Sequence, residues 1–165
     1  MPGQGSRCYL MVRAREWMCA LPLEEVEETM RPLPISPVSS APPFVRGVCL
    51  VRGSSAPVVN LGMLLGGERT PPGQRFVSVR VPEGRLALEV DEVRGVRWLD
   101  DSSLEAVPSL LRATAGGQLR HMGSVDGSLL AVLGSAQLLS AELWGHFEQP
   151  GAAKDGAGDG RGERA

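Results

Sequence analysis

Several features that would place the chain in a common functional class are missing. No apolar run approaches the ~20 residues that a membrane-spanning helix needs, so membrane insertion is not expected. The 17 basic and 19 acidic residues give a net charge of only −2, which is too little positive field to predict nucleic-acid binding. Residues 1–6 lack the basic region and apolar core of a secretory signal. We therefore expect a cytoplasmic protein.

Metal-binding and redox patterns are also missing. The three cysteines, Cys8, Cys19 and Cys49, lie in apolar stretches without a CxxC pair, which favours small buried hydrophobic residues over a redox or metal role. The two histidines, His121 and His146, are too few and too isolated for a zinc set. We expect neither a metal nor a cofactor.

Catalytic motifs are absent as well, since the sequence contains no HExxH, GxSxG or phosphate-binding loop. One alternative is a small β-barrel hydrolase that uses Asp91, Glu89 and His121. However, alternate residues of a strand share a face, and such carboxylates usually form only its solvated side. The sequence predicts no catalytic residues and a protein that is not an enzyme.

What the sequence has in abundance is glycine and proline, with 21 and 13 residues. This composition suits short strands separated by many turns, and strand-like runs follow one another from residue 8 to residue 133. Arg52-Gly53 and Asp126-Gly127 each stand between two such runs and predict hairpin turns. The pattern predicts a mainly β, barrel-like architecture.

Helices are predicted to be few and short. Pro22 and the glutamates after it, with Leu23, Val26 and Met30 on one stripe, favour one or two helical turns. The glutamates could form a solvated helix face or a partner contact. Ser102 and Glu105 have capping-box spacing and predict a short helix over 102–111. Further short helices are expected at 61–67 and 137–144, a flexible segment at 1–6 and a disordered Gly-rich tail at 149–165.

A longer motif covers residues 41–61. It reads APPFVRGVCLVRGSSAPVVNL and resembles the CheW-like family pattern P-x-[FY]-[IV]-x-G-V-x-N-L-R-G-x-x-[IV]-P-[IV]-[IV]-D-L. Leu50 and Asn60 replace the asparagine and the aspartate of that pattern. The resemblance extends over about residues 7–147 and includes the V-D-x-V turn at 90–93.

The resemblance implies two intertwined SH3-like five-stranded β-barrel subdomains with short helices and a shared core, spanning residues 7–148. It also implies a non-enzymatic adaptor, located at receptor arrays on the inner membrane. Its partners would be the regulatory domain of a CheA-type histidine kinase, the cytoplasmic tip of a chemoreceptor and other CheW-like domains. A divergent scaffold outside chemotaxis is the alternative.

The same resemblance assigns four partner-binding residues. Gly47 and Arg52 match the segment implicated in receptor and kinase contact, and Val26 and Glu28 match the V-x-E positions near the receptor-facing groove. Local structure is an alternative explanation for two of them. Arg52 could satisfy carbonyls of its own turn, and Gly47 could serve backbone geometry alone.

Overall fold

The computed structural model describes residues 4–66, 71–109, 119–134 and 138–148, except the side chains of residues 141, 146 and 148. The strands of these ranges are β1 (Ser6–Ala14), β2 (Trp17–Pro22), β3 (Val26–Met30), β4 (Val45–Val51), β5 (Ser54–Asn60), β6 (Arg75–Val81), β7 (Gly84–Val90), β8 (Glu92–Asp100), β9 (Glu105–Ala106), β10 (Leu119–Val125) and β11 (Ser128–Leu133). The helices are α1 (Leu61–Gly66), α2 (Ala141–Glu148) and two 3-10 turns, Leu23–Glu25 and Asp101–Ser103. The predicted tail at 149–165 lies outside the described residues.

The strands form two sheets. One has the order β3-β6-β7-β5-β4, and the other has the order β8-β1-β2-β11-β10-β9. The second sheet counts six strands because the two-residue β9 joins its edge. The mainly β prediction is confirmed, and the sheets are consistent with two SH3-like barrels. They are intertwined because β1 and β2, the first two strands of the chain, pair with the late strands β8 and β11, whereas β3 to β7 form the other sheet.

The two sheets repeat the same strand pairing. Adding 74 to the numbers of the β4–β5 hairpin gives the β10–β11 hairpin, so that the pair Val45–Val59 corresponds to Leu119–Leu133. Subtracting 67 from the β6–β7 hairpin gives β1–β2, and adding 67 to β3 gives β8. The parallel pairs and the bulges coincide under this correspondence. The fold is therefore a structural repeat.

Three apolar clusters follow from this arrangement. The largest takes side chains from both sheets, including Leu21 and Leu88, and receives Trp144 from α2. Each sheet also encloses a cluster of its own, around Tyr9 in one and around Phe76 in the other. The expected shared core thus lies between the sheets, and burial of this apolar surface from water stabilises their association.

Both predicted hairpin turns are confirmed. Arg52 and Gly53 have φ angles of +50° and +80°, and Asp126 and Gly127 have +50° and +78°. Two consecutive residues with positive φ are typical of the type I′ turn, whose twist matches that of the flanking strands. The strand predicted at 93–99 also forms, but it pairs with β1 rather than with its neighbour in sequence, β7.

Two helix predictions are wrong. Leu23–Glu25 forms only a 3-10 turn, and Val26–Met30 is a strand because it pairs with β6, where Val26 lies opposite Val79. Glu105, the second member of the proposed capping box, lies in β9 opposite Met122, and residues 110 and 111 of that predicted helix lie outside the described residues. In both segments strand pairing outweighs a local helical preference. The last helix begins at Ala141, later than predicted, and residue 137 lies outside the described ranges.

Cys19 and Cys49 are buried and Cys8 is half-buried, as expected of small apolar residues. Burial raises the pKa of the Cys19 thiol, because a thiolate would lose its hydration there. In the described ranges, every helix is too short or too polar to cross a lipid bilayer.

Candidate partner-binding surface

An exposed ion pair joins two edges of the five-stranded sheet. Arg52 lies in the β4–β5 turn, and its guanidinium donates two hydrogen bonds to the Glu28 carboxylate on β3, at 2.7 Å from Nε and 3.0 Å from Nη2. This forked geometry matches two donors to two oxygens. Arg52 therefore binds a side chain of β3. The alternative that it only satisfies carbonyls of its own turn does not account for these two hydrogen bonds.

The pair is electrostatically coupled but accessible. The hydrogen bond from Arg52 lowers the pKa of Glu28, and the same contact raises the pKa of Arg52. The Arg52 side chain is 74% exposed, so solvent screens the attraction and the pair contributes little to folding stability. An exposed guanidinium that holds one carboxylate retains N–H donors for another.

A second arginine, Arg85, also connects the two outer strands of this sheet. Arg85 on β7 donates hydrogen bonds to both oxygens of Glu27, the nearest at 2.8 Å, and donates from Nη1 to the Val51 carbonyl oxygen at 3.0 Å. It thereby ties β3 to β4, the two outer strands of this sheet. Sequence reasoning missed this contact, because the glutamates were assigned to a helix face.

An apolar groove lies next to the ion pair. It has a volume of about 490 Å³ and is lined by Leu33, Pro34, Ser36, Val48, Cys49 and Leu50. The Leu50 side chain, two residues before Arg52, is 67% exposed. Exposed apolar surface beside a charged rim is typical of a site for another molecule.

Gly47 shapes this groove from below. It has a φ of +144°, and a Cβ at this position would lie 2.2 Å from the Ser36 carbonyl oxygen. The close approach lets Ser36 pair with Val48 through two backbone hydrogen bonds, at 2.8 Å and 2.9 Å. Gly47 is therefore required for backbone geometry, and its effect on the surface is indirect.

The structure thus brings together three of the four residues that the resemblance assigned. Arg52 and Glu28 are in contact, and Gly47 supports the groove beside them. Val26 lies two residues before Glu28 on β3 and packs against the main core, so it does not form part of the exposed pair.

A buried polar network was not predicted. It lies where β5 and β7 end, a place called here the mouth of the barrel. The Glu89 carboxylate is 2% exposed and accepts hydrogen bonds from Arg46, at 3.0 Å, and from Asn60. Asn60 also accepts from the Met63 N–H at 2.9 Å, which caps α1. The amide can donate to Glu89, whereas the aspartate of the family pattern could not. Asn60 was the available sequence signal.

The alternative hydrolase site is not assembled. Glu89 is held in that network, and Asp91 accepts a hydrogen bond from the Arg15 N–H at 2.7 Å. His121 lines a different cavity from Asp91. In the described ranges no group of three or more His, Cys, Asp or Glu residues could hold a metal ion.

Comparisons with known proteins agree with this architecture. The sequence model of the CheW-like domain matches residues 8–143. The chemotaxis protein CheW of Rhizobium meliloti (strain 1021) is 23% identical over 131 residues, which is 78% of this chain and 84% of that protein. The crystal structure of the scaffolding protein TtCheW from Thermoanaerobacter tengcongensis superposes with a TM-score of 0.72 at 20% identity, over 87% of this chain and 96% of that one.

Proposed function

Since the chain belongs to the CheW-like domain family, we propose that it is a non-enzymatic chemotaxis adaptor that couples chemoreceptors to a CheA-type histidine kinase. The observation that carries this proposal is the exposed Arg52–Glu28 pair beside the Leu50 groove. A charged fork next to an apolar surface suits an amphipathic helix, which the groove would bury while its polar residues meet the rim. The receptor tip is the proposed occupant.

Separate exposed surfaces support a role in joining two partners. The six-stranded sheet has its own large apolar side chains more than half exposed, namely Val96 and Trp98 on β8 and Leu129 on β11. An adaptor must hold two molecules at once without competition between them. We assign the groove side to the receptor and the opposite sheet to the kinase regulatory domain or another CheW-like domain. Such contacts would place the protein at cytoplasmic receptor arrays.

The test is a pull-down of a receptor cytoplasmic tip and of a kinase regulatory domain with Arg52→Glu. The substitution removes the guanidinium donors and places a second carboxylate beside Glu28. We expect retention of at least one partner to fall about tenfold or more, as for an interface hot spot. The matched control for retention of the receptor tip is Arg97→Glu, which breaks the exposed pair between β8 and the Asp126 turn on the other sheet. Equal retention of both partners by both variants would contradict the assigned surface.

A further inference from the structure

The two barrels differ at one corresponding position, the mouth where Arg46 meets Glu89. Arg46 is the extra residue at the β4–β5 bulge, and Arg120 is the extra residue at the β10–β11 bulge. The pair Phe76–Glu89 corresponds to Tyr9–Pro22 in the strand register. The six-stranded sheet therefore keeps the arginine of the pair but has Pro22 where the carboxylate would be.

A cavity occupies this position. It has a volume of about 350 Å³, at the lower end of the range for ligand sites. Arg120 and Pro22 both line it, together with Arg7, Tyr9, Asp101, Leu104, His121 and Val132. The place that the Arg46–Glu89–Asn60 hydrogen bonds occupy in one barrel is thus an open cavity in the other.

The charges of the wall favour one kind of ligand. Arg7 is engaged by Glu24, whereas within the described ranges Arg120 makes no ion pair. Among the lining residues that the structure describes, Asp101 is the one carboxylate, and its presence disfavours a dianion such as phosphate. Burial raises the pKa of the Tyr9 hydroxyl, which keeps it protonated as a hydrogen-bond donor.

We propose that this cavity binds a single carboxylate carried on a short apolar chain. The carboxylate takes the place that Glu89 has in the other barrel and accepts a charge-assisted hydrogen bond from Arg120, as Glu89 does from Arg46. The apolar chain packs on Leu104 and Val132. The carboxylate comes either from a small molecule or from an acidic side chain of a protein. This inference does not depend on the adaptor role.

The experiment titrates the isotope-labelled full chain with butyrate and follows the NMR signals of Tyr9, Leu104 and Val132. Butyramide, which has the same shape without the charge, is the matched control ligand. Butyrate is expected to give saturable shifts at these signals and none at Phe76, the counterpart of Tyr9 in the other barrel. Saturable binding of butyramide with equal affinity, or no saturable shift with any acidic probe, overturns the proposal.

Variants separate the arginine from general effects. Arg120→Gln is expected to weaken butyrate binding about tenfold or more, because a hydrogen bond between charged groups is lost. Arg75→Gln, at an exposed arginine of the other sheet, should leave it unchanged. Pro22→Glu supplies the missing carboxylate within the chain and should abolish butyrate binding. Unchanged affinity in Arg120→Gln would also overturn the proposal, whether or not the Pro22 variant folds.

A capped tripeptide, Ala-Glu-Ala, distinguishes the two sources of the carboxylate, with Ala-Gln-Ala as its control. Tighter binding of the glutamate peptide than of butyrate indicates an acidic side chain of a protein partner. Binding of butyrate alone indicates a small molecule. Either result supports a carboxylate site.

Discussion

The five-stranded and the six-stranded sheets have the same pairing and bulges but close with opposite charges. In one, Arg52 of the hairpin turn binds Glu28 of the edge strand. In the other, Asp126 of the corresponding turn binds Arg97 at 2.8 Å, two residues beyond Gly95, the counterpart of Glu28 on that edge strand. The comparison teaches that the fold tolerates either polarity in an exposed ion pair between the hairpin turn and the edge strand. The polarity on the five-stranded sheet is therefore available to a partner.

The two barrels differ more in the side chains at their mouths than in the ion pairs at their hairpin turns. In the five-stranded sheet Arg46 and Asn60 both donate hydrogen bonds to Glu89, while Arg120, Pro22 and Gly134 occupy the corresponding positions of the other sheet. A repeated backbone thus carries a closed network on one side and an open cavity on the other. The backbone hydrogen bonds that build the sheets do not depend on these side chains, so the side chains are able to differ.

The largest effect is expected at the β4–β5 bulge. Gly47→Ala places a Cβ 2.2 Å from the Ser36 carbonyl oxygen at a φ of +144° and should lower the free energy of unfolding. We expect about 3 kcal/mol from the steric overlap and backbone strain. Urea denaturation measures this loss. The counterpart His121→Ala should change stability by less than about 0.5 kcal/mol, since His121 is exposed; equal losses would break the comparison.

Next in size is the arginine at each mouth. Arg46→Gln leaves the buried Glu89 carboxylate without its cation and should cost about 2 kcal/mol of unfolding free energy. Arg120→Gln removes an arginine that has no ion pair in the described ranges and should cost less than about 0.5 kcal/mol. Thermal and urea unfolding of the two variants compare the two mouths directly. A similar loss in both would show that Arg120 has a structural partner.

Asn60→Asp should have a smaller and pH-dependent effect. The new carboxylate keeps the cap on the Met63 N–H but faces Glu89, and repulsion should cost about 1 kcal/mol at pH 7. Like charges raise the folded-state pKa of such a pair, so the cost should shrink as the pH falls and one carboxyl binds a proton. Unfolding measured at pH 7 and pH 5 checks this. A cost that is constant with pH would point to lost hydrogen bonding instead.

The smallest effect concerns the exposed pair itself. The folded-state pKa of Glu28 is lowered by Arg52, so the contribution of this carboxylate is present above its ordinary pKa and is lost as the pH falls through the lowered value. Arg52→Gln should therefore reduce stability slightly at pH 7 and have no effect well below about pH 4. Urea midpoints at both pH values measure the difference. A larger loss at low pH would contradict the assigned pairing.

The hairpins could be predicted from the sequence because their signals are local. Two-residue turns such as Asp126-Gly127 carry the positive φ angles that the connection requires. The strand β3 was missed because Pro22 and the glutamates favour a helix locally, whereas the pairing of Val26 with Val79 depends on a distant segment. The parallel pairs β5–β7 and β2–β11 are distant in the same sense.

The candidate site was only partly predictable. Residue types and motif spacing identified Arg52 and Glu28, but not that they contact each other across the barrel. The structural repeat was not predicted from the sequence, because corresponding positions can hold residues as unlike as Glu89 and Pro22. Only the strand register relates them.

The most direct test of the central claim compares two double charge reversals. One variant combines Arg52→Glu with Glu28→Arg, and the other combines Arg97→Asp with Asp126→Arg; each keeps an attractive pair that closes its barrel. The dissociation constant for a cognate receptor-tip fragment is measured by calorimetry. We predict that both variants fold with normal stability and that only the first loses receptor binding. Equal affinities of the two variants would contradict a receptor surface at Arg52.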